Sequence, residues 1–225
     1  MSLKIQRPPA GLVFDMDGVL IDSEPLHRRA KEQALGYFGI VLADQIYADY
    51  KGRPDETMMR EIAAQRADPA MTAGELLRKK HQAFEALEHT ILPIPDAVEF
   101  VRWSKSRYRI ALATSATPRN RAAALSALDL SSIFEAVVDA DDFQRPKPDP
   151  EAFQVAMRRL ALRPEECWVI EDSLNGVKAA KAAGCVTVAL TTTFARQALL
   201  EVGADILIAS FAELKSRLQE IQLSD

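Results

Sequence analysis

The sequence predicts an α/β protein, a parallel sheet covered by helices on both sides with an all-α segment inserted after the first strand. Three observations lead there. Strand-like runs alternate with helical ones after Pro93 and Pro95, one isolated strand-like run precedes them near the start, and everything readable between Glu24 and about Glu88 is helical. Such alternation implies parallel strands covered on both faces. At 225 residues, 48% hydrophobic and 27% charged, the chain has the composition of a globular protein. Its length suits about one and a half ordinary domains and the burial of roughly 70% of its unfolded surface.

The first element is Leu12 to Asp15, a short apolar run ending in an acid, which reads as a buried strand. In the helical segment, Leu76, Ala83 and Leu87 beside Ala73, Leu77 and Phe84 recur at three-to-four-residue spacing. Pro54 suits a first helical turn, and Asp55 and Glu56 suit the positive end of the helix. Arg109 to Thr114, Ala136 to Asp139, Cys167 to Glu171, Val186 to Leu190 and Ile206 to Ile208 read as the remaining strands. The clearest intervening helix runs from Pro150 to about Ala161, with Phe153, Ala156, Met157, Leu160 and Ala161 on one face and Asp149-Pro150 as N-cap and first turn. The domains expected are a core made of residues 1–23 and 89–225 and a helical insertion at 24–88.

Twenty-eight basic against thirty-two acidic side chains give a formal charge of −4 with no long basic run, so no electrostatic footprint for nucleic acid exists. An anionic ligand must meet locally placed cations. No apolar stretch approaches the roughly 18 residues of a membrane helix, and residues 1–10 lack a signal-peptide core. Cys167 and Cys185 sit beside apolar strand-like runs and read as reduced core thiols. A cytoplasmic, enzyme-like protein, monomeric or weakly dimeric and without nucleic-acid or membrane partners, is expected.

In an open parallel sheet, ligands bind beyond the carboxyl ends of the strands, which directs attention to polar residues just after strand-like runs. Asp15 and Asp17 are two apart, a spacing that points both carboxylates to one side of an extended chain. Their repulsion calls for a shared proton or an oxygen-seeking ion such as Mg²⁺; a plain Asp-x-Asp-Gly turn is the alternative. Glu171-Asp172 arrive where a buried strand ends, either as metal acids or as acids favouring the positive end of the helix capped by Ser173. Ser115, after Ile110 to Thr114, supplies a hydroxyl beside backbone N–H groups, a phosphate cradle or an ordinary helix cap. Lys147 stands between Pro146 and Pro148 on a stiff segment with Arg145, and reads as a presented cation or a solvated loop lysine. Together these groups compose a phosphoryl-transfer site.

Phe14-Asp15-Met16-Asp17-Gly18-Val19-Leu20-Ile21-Asp22-Ser23, Thr114-Ser115, Lys147, and Glu171-Asp172-Ser173 with Gly176 resemble, in that order, the four motifs of the haloacid dehalogenase-like (HAD) hydrolases, in their β-phosphoglucomutase and small-metabolite phosphatase branch. The resemblance spans nearly the whole chain. It implies a Rossmann-like core with an inserted helical cap. It also implies that Asp15 attacks phosphorus to give an aspartyl phosphate, and that Asp17 protonates the leaving oxygen and later activates water. Mg²⁺ would be held by the Asp15 carboxylate, the Asp17 backbone carbonyl and Asp172, with Glu171 close by. Ser115, with Ala116 beside it, and Lys147 would hold the phosphoryl oxygens. An acid at Asp17 sets the chain apart from the dehalogenases and phosphonate hydrolases of the superfamily, which lack one there.

In such enzymes the cap reads the leaving group. His27, with Arg28 and Arg29 after it, and Lys51-Gly52-Arg53 occupy the places where that branch reaches its substrate, though both can equally be solvated helix ends. The mutase carries a cap arginine three residues beyond that glycine, where this chain has Asp55, a group that repels a second phosphate unless Arg53 substitutes. The expected activity is hydrolysis of a small phosphorylated metabolite such as a sugar phosphate, with mutase-like phosphoryl transfer as the alternative. A phospho-acceptor signalling module of the receiver kind is a remote third, since receivers are about half this length and need no helical insertion.

Overall fold

The computed structural model describes residues 7–50, 53, 55–66 and 68–223. Six strands, β1 (Gly11–Phe14), β2 (Arg109–Ala113), β3 (Ala136–Val138), β4 (Cys167–Glu171), β5 (Val186–Leu190) and β6 (Ile206–Ile208), form one sheet in the order β3-β2-β1-β4-β5-β6. Every neighbouring pair is parallel. The chain builds outward from β1 through β2 to β3, then returns to the other side of β1 to lay down β4. The order therefore reverses between β1 and β4, and in such sheets ligands bind at that point, beyond the carboxyl ends of the strands.

The helices around the sheet are α5 (Ala97–Lys105), α6 (Pro118–Ala127), α7 (Glu151–Arg159), α8 (Leu174–Ala182), α9 (Arg196–Glu201) and α10 (Phe211–Gln222). Strand side chains alternate between faces, so each strand feeds two cores. Val13, Ala111, Ala113, Val138 and Val169 pack with Phe153, Ala156 and Met157 of α7, with Leu160 just after it, and with Ala179 and Ala180 of α8. Phe14 points the other way, edge-on to Phe100 of α5, which lies against Phe211 of α10. Both cysteines are buried and outside any disulfide, and burial pushes the Cys167 thiol up to about 12.

The α7 helix is shorter than its periodicity suggests. Pro150 occupies the cap position without a side-chain cap, while Asp149 accepts from the Glu151 amide at 3.0 Å; the helix stops at Arg159, and Ala161 follows with φ of 50°. The α6 helix starts on Thr117, whose hydroxyl accepts from Asn120, with Pro118 in the first turn, so Ser115 is not its cap.

Residues Ser23–Ile91 cluster as a second compact unit, separate from Met1–Asp22 with Leu92–Asp225. It contains α1 (Glu24–Gly36), α2 (Asp44–Asp49), α3 (Asp55–Ala64) and α4 (Ala73–Leu87). One core joins Leu35, Ile40, Met58, Met59, Ile62, Met71 and Leu76, and a second joins Leu26, Ala30, Phe84 and Leu87. Thr72 caps α4 by accepting from Glu75. No helix among the described residues is long and apolar enough to cross a membrane.

Candidate active site

The register of the two central strands assembles the acids. Phe14 pairs with Ile170, and the Asp15 amide donates to the Ile170 carbonyl at 3.0 Å, so Asp15 leaves β1 alongside the Glu171-Asp172 end of β4. Carboxylate oxygens of Asp15, Glu171 and Asp172 lie within 4.8 Å of one another, and all three residues are buried. Lys147 enters from the loop before α7. Its Nζ donates to Asp15 Oδ1 at 2.6 Å and to Glu171 Oε1 at 2.8 Å, with the Ala113 carbonyl at 3.4 Å. Arg145, from the same loop, turns away to Asp149 at 2.7 Å and Glu151 at 3.5 Å.

Among the described residues, the three buried carboxylates meet the one ammonium of Lys147, so negative charge is in excess in a buried place. Burial is the largest influence on Asp15 and, with Glu171 and Asp17 nearby, pushes its carboxyl up to about 7 even though Lys147 opposes the rise. Burial and then the charges of Glu171 and Asp15 push Asp172 upward as well. Burial works against the Lys147 charge, yet Asp15 and Glu171 outweigh it and hold the ammonium above the ordinary lysine range.

The four groups are not equivalent. Glu171 is fully engaged: its Oε2 accepts from the Asp172 amide (2.8 Å), the Ser173 amide (2.7 Å) and the Ser173 hydroxyl (2.9 Å), and its Oε1 accepts from Lys147. Gly176 in α8 makes room for it, since a Cβ there would lie 1.7 Å from Glu171 Oε1. Ser173 in turn caps α8 by accepting from the Gly176 amide at 3.0 Å. Asp15 and Asp172 are the acids with oxygens left for a hard cation, which favours such oxygen donors.

Asp17 is near enough to raise both Asp15 and Asp172, but not because the strand continues. The chain bends at Met16, whose carbonyl accepts from Leu20 (2.8 Å) and Ile21 (3.1 Å), so the two-residue alternation expected for Asp15 and Asp17 does not apply. Gly18 then takes φ of +73°, and a Cβ on it would fall 1.9 Å from Asp172 Oδ2. Ser115 and Ala116 follow β2, the other neighbour of β1, with Ser115 exposed; the Thr114 hydroxyl accepts from the Ala116 amide at 3.0 Å.

The helical unit's predicted residues are held in contacts of their own. His27 stacks on Phe84 at 4.5 Å, with Nδ1 3.0 Å from Lys80 Nζ. Arg53 pairs with Glu61 at 2.9 Å and lies over the Tyr50 ring, and Arg28 pairs with Glu32 (2.7 Å) and Asp44 (2.5 Å). Lys51, Gly52 and Pro54 lie outside the described residues. Asp55 is bound between Lys31 and Lys80, each at 2.9 Å; burial alone would raise its carboxyl, but Lys80 and Lys31 bring it down to about 2. Sequence reasoning missed Lys80. The available signal was a charged residue in register with Leu76, Phe84 and Leu87 on the buried face of α4.

The haloacid dehalogenase-like hydrolase family model matches residues 9–184. The fructose-1-phosphate phosphatase YqaB of Escherichia coli is 34% identical over 78% of this chain and 93% of its own. A phosphorylated carbohydrates phosphatase of Thermotoga maritima is 32% identical over 88% of this chain and 93% of its own. Among solved structures, CbbY from Rhodobacter sphaeroides in complex with phosphate superposes with a TM-score of 0.78 at 28% identity, covering 94% of this chain and 99% of CbbY. The acid-and-lysine cluster at the sheet's switch point thus stands inside a family match that runs from β1 to the end of α8, and the chain is an enzyme belonging to the haloacid dehalogenase-like hydrolases.

Proposed function

We propose that the protein is a Mg²⁺-dependent phosphatase of small sugar phosphates that works through an aspartyl phosphate on Asp15. The observation that carries this reading is the Asp15–Lys147–Glu171–Asp172 cluster, a carboxylate held at 2.6 Å by an ammonium beside acids whose excess charge suits a dication. The names of the related phosphatases support a sugar-phosphate substrate.

Asp15 attacks phosphorus, forming one carboxylate-oxygen–phosphorus bond as the bond to the sugar oxygen breaks. Asp17 supplies the proton that the leaving alkoxide takes up. In the second half, Asp17 accepts a proton from water as that water displaces Asp15 from phosphorus, releasing inorganic phosphate and restoring the carboxylate. Lys147 stays charged throughout and faces the oxygens where negative charge accumulates, while Glu171 fixes its position. Ser115 and the adjoining Ala116 amide orient the phosphoryl group. Asp15 and Asp172, with the Asp17 carbonyl, would hold Mg²⁺, which when bound would offset the negative charge of the anions that must approach each other.

Leaving-group choice belongs to the helical unit, with His27, Lys51, Gly52 and Arg53 as the expected contacts. Two lysines around Asp55 carry a surplus positive charge, so Asp55 does not present the bare repulsive carboxylate anticipated from its sequence position. Arg53 is paired with Glu61, so its charge is partly answered before a second phosphate arrives, which favours hydrolysis over phosphoryl transfer between sugar hydroxyls. Incubated with fructose 1-phosphate or a hexitol phosphate and Mg²⁺, the enzyme releases inorganic phosphate, and chelation stops it. An isomerised sugar phosphate without free phosphate indicates a mutase instead, and no reaction across a panel of sugar phosphates overturns the proposal.

The raised carboxyls also set a pH dependence. Between about pH 4 and 7 the metal-free native state binds more protons at Asp15 than the unfolded chain does, so stability falls as pH rises through that window. Asp172 adds in the same direction. The chelated protein therefore melts at a lower temperature at pH 8 than at pH 5.5, and Mg²⁺ raises the melting temperature more at pH 8. A melting temperature that is level or rising from pH 5.5 to 8 contradicts this.

A further inference from the structure

Like β1, β2 and β4, whose ends carry Asp15, Ser115 and Asp172, strand β5 is followed by polar residues, Thr191-Thr192-Thr193. The loop is tied at its base: the Thr191 amide and hydroxyl both donate to the Ile208 carbonyl at the end of β6, at 3.0 and 3.3 Å. From that anchor the next two hydroxyls reach into the site. Thr192 Oγ1 donates to the Gly18 carbonyl at 2.7 Å, across 174 residues of sequence. The Thr193 hydroxyl lies beside the Asp172 carboxylate, and as a hydrogen-bond partner it counters the burial and like charges that push that carboxyl up. Thr193 Oγ1 and Asp172 Oδ2 meet beside Gly18, 3.0 and 1.9 Å from where a Cβ would stand.

Asp172 needs such a contact more than its neighbour does. Glu171 is fastened by two amides, a hydroxyl and an ammonium, whereas Asp172 faces the charges of Glu171, Asp15 and Asp17, all of which repel it. A carboxylate surrounded by like charge turns away unless a donor orients it, and donors that orient a ligand typically change metal affinity by about 10–100-fold when removed.

We infer that Thr193 is a positioning residue that aims the Asp172 carboxylate at the divalent ion, with Thr192 clamping the Asp17–Gly18 turn against it. This rests on the reading of Asp172 as a metal ligand. Its test is Mg²⁺ binding by titration calorimetry on Thr193→Val and Thr193→Ser, beside turnover as a function of Mg²⁺ concentration. The Val variant weakens the Mg²⁺ dissociation constant about tenfold and shifts the half-saturating Mg²⁺ by the same factor, while kcat at saturating Mg²⁺ stays within about twofold of wild type. Thr193→Ser restores both to within about twofold, because it keeps the hydroxyl. If the Val variant does not fold, Thr193→Ala is read in the same way. Unchanged Mg²⁺ affinity in a folded Val or Ala variant overturns the inference alone, as does a kcat loss that no Mg²⁺ concentration repairs. A wild-type enzyme that neither binds nor requires Mg²⁺ overturns the metal reading together with it.

Discussion

Asp15→Asn lowers phosphate release by at least about 10⁴-fold, the scale on which removal of a covalent nucleophile is felt, and yet makes the metal-free protein harder to melt at pH 8. The two effects have one origin. The Asp15 carboxylate is buried beside two further buried acids and, among the described residues, is opposed by the Lys147 ammonium. An amide of the same shape cannot attack phosphorus, so the aspartyl phosphate does not form. It also carries no charge, and the cluster is relieved of one of the repulsions that push Asp15 up to about 7. Lys147 keeps Glu171 at 2.8 Å, so the variant does not strand a buried cation. Turnover and thermal melting on one preparation check both signs. Retained hydrolysis removes Asp15 as the nucleophile, and a lower melting temperature at pH 8 removes the picture of a cluster overloaded with negative charge.

Much of this was legible in the sequence because buried parallel strands announce themselves as short apolar runs. Cys167 to Glu171, Val186 to Leu190 and Ile206 to Ile208 need only length and flanking residues to be recognised, and the structure places strands at those residues. The acids were legible because they follow such runs. What brings them together was not, since the reversal of strand order at β1 and β4 depends on packing between segments more than 150 residues apart. The position of Asp17 shows the opposite failure: a local rule, alternation along an extended strand, loses to a turn in which Met16 accepts from Leu20 and Ile21. In the helical unit, charge alone said little. Arg53 and Arg28 looked available in the sequence but are paired with Glu61, Glu32 and Asp44, whereas Lys80, hidden in a Lys79-Lys80 pair, joins Lys31 around the half-buried Asp55. Thr193 went unnoticed because a hydroxyl in a loop carries no charge pattern, although its place after β5 marked it by the same criterion as Ser115.

Lys147→Met tests the electrostatic half of the mechanism, and its effect on stability runs opposite to that of Asp15→Asn. Lys147 is the ammonium bonded to both Asp15 and Glu171, and its side chain is only 8% exposed. Methionine fills a similar volume but leaves two buried carboxylates facing each other, a loss of about 3–5 kcal/mol when one partner of a buried pair is removed. The loss is greatest at pH 8. At pH 5.5 Asp15 takes up a proton more readily, because the lysine that held its carboxyl down is gone, and part of the repulsion disappears. In the transition state the missing ammonium no longer faces the phosphoryl oxygens, and kcat falls about 10²–10³-fold, the usual consequence of deleting one preorganised donor. Arg145→Ala on the same loop provides the contrast: its guanidinium is exposed and bound to Asp149 and Glu151, so stability stays within about 0.5 kcal/mol of wild type. A folded Lys147→Met enzyme with turnover inside tenfold of wild type would mean that charge at phosphorus is balanced without this lysine. Its position between Asp15 and Glu171 would then serve the fold alone.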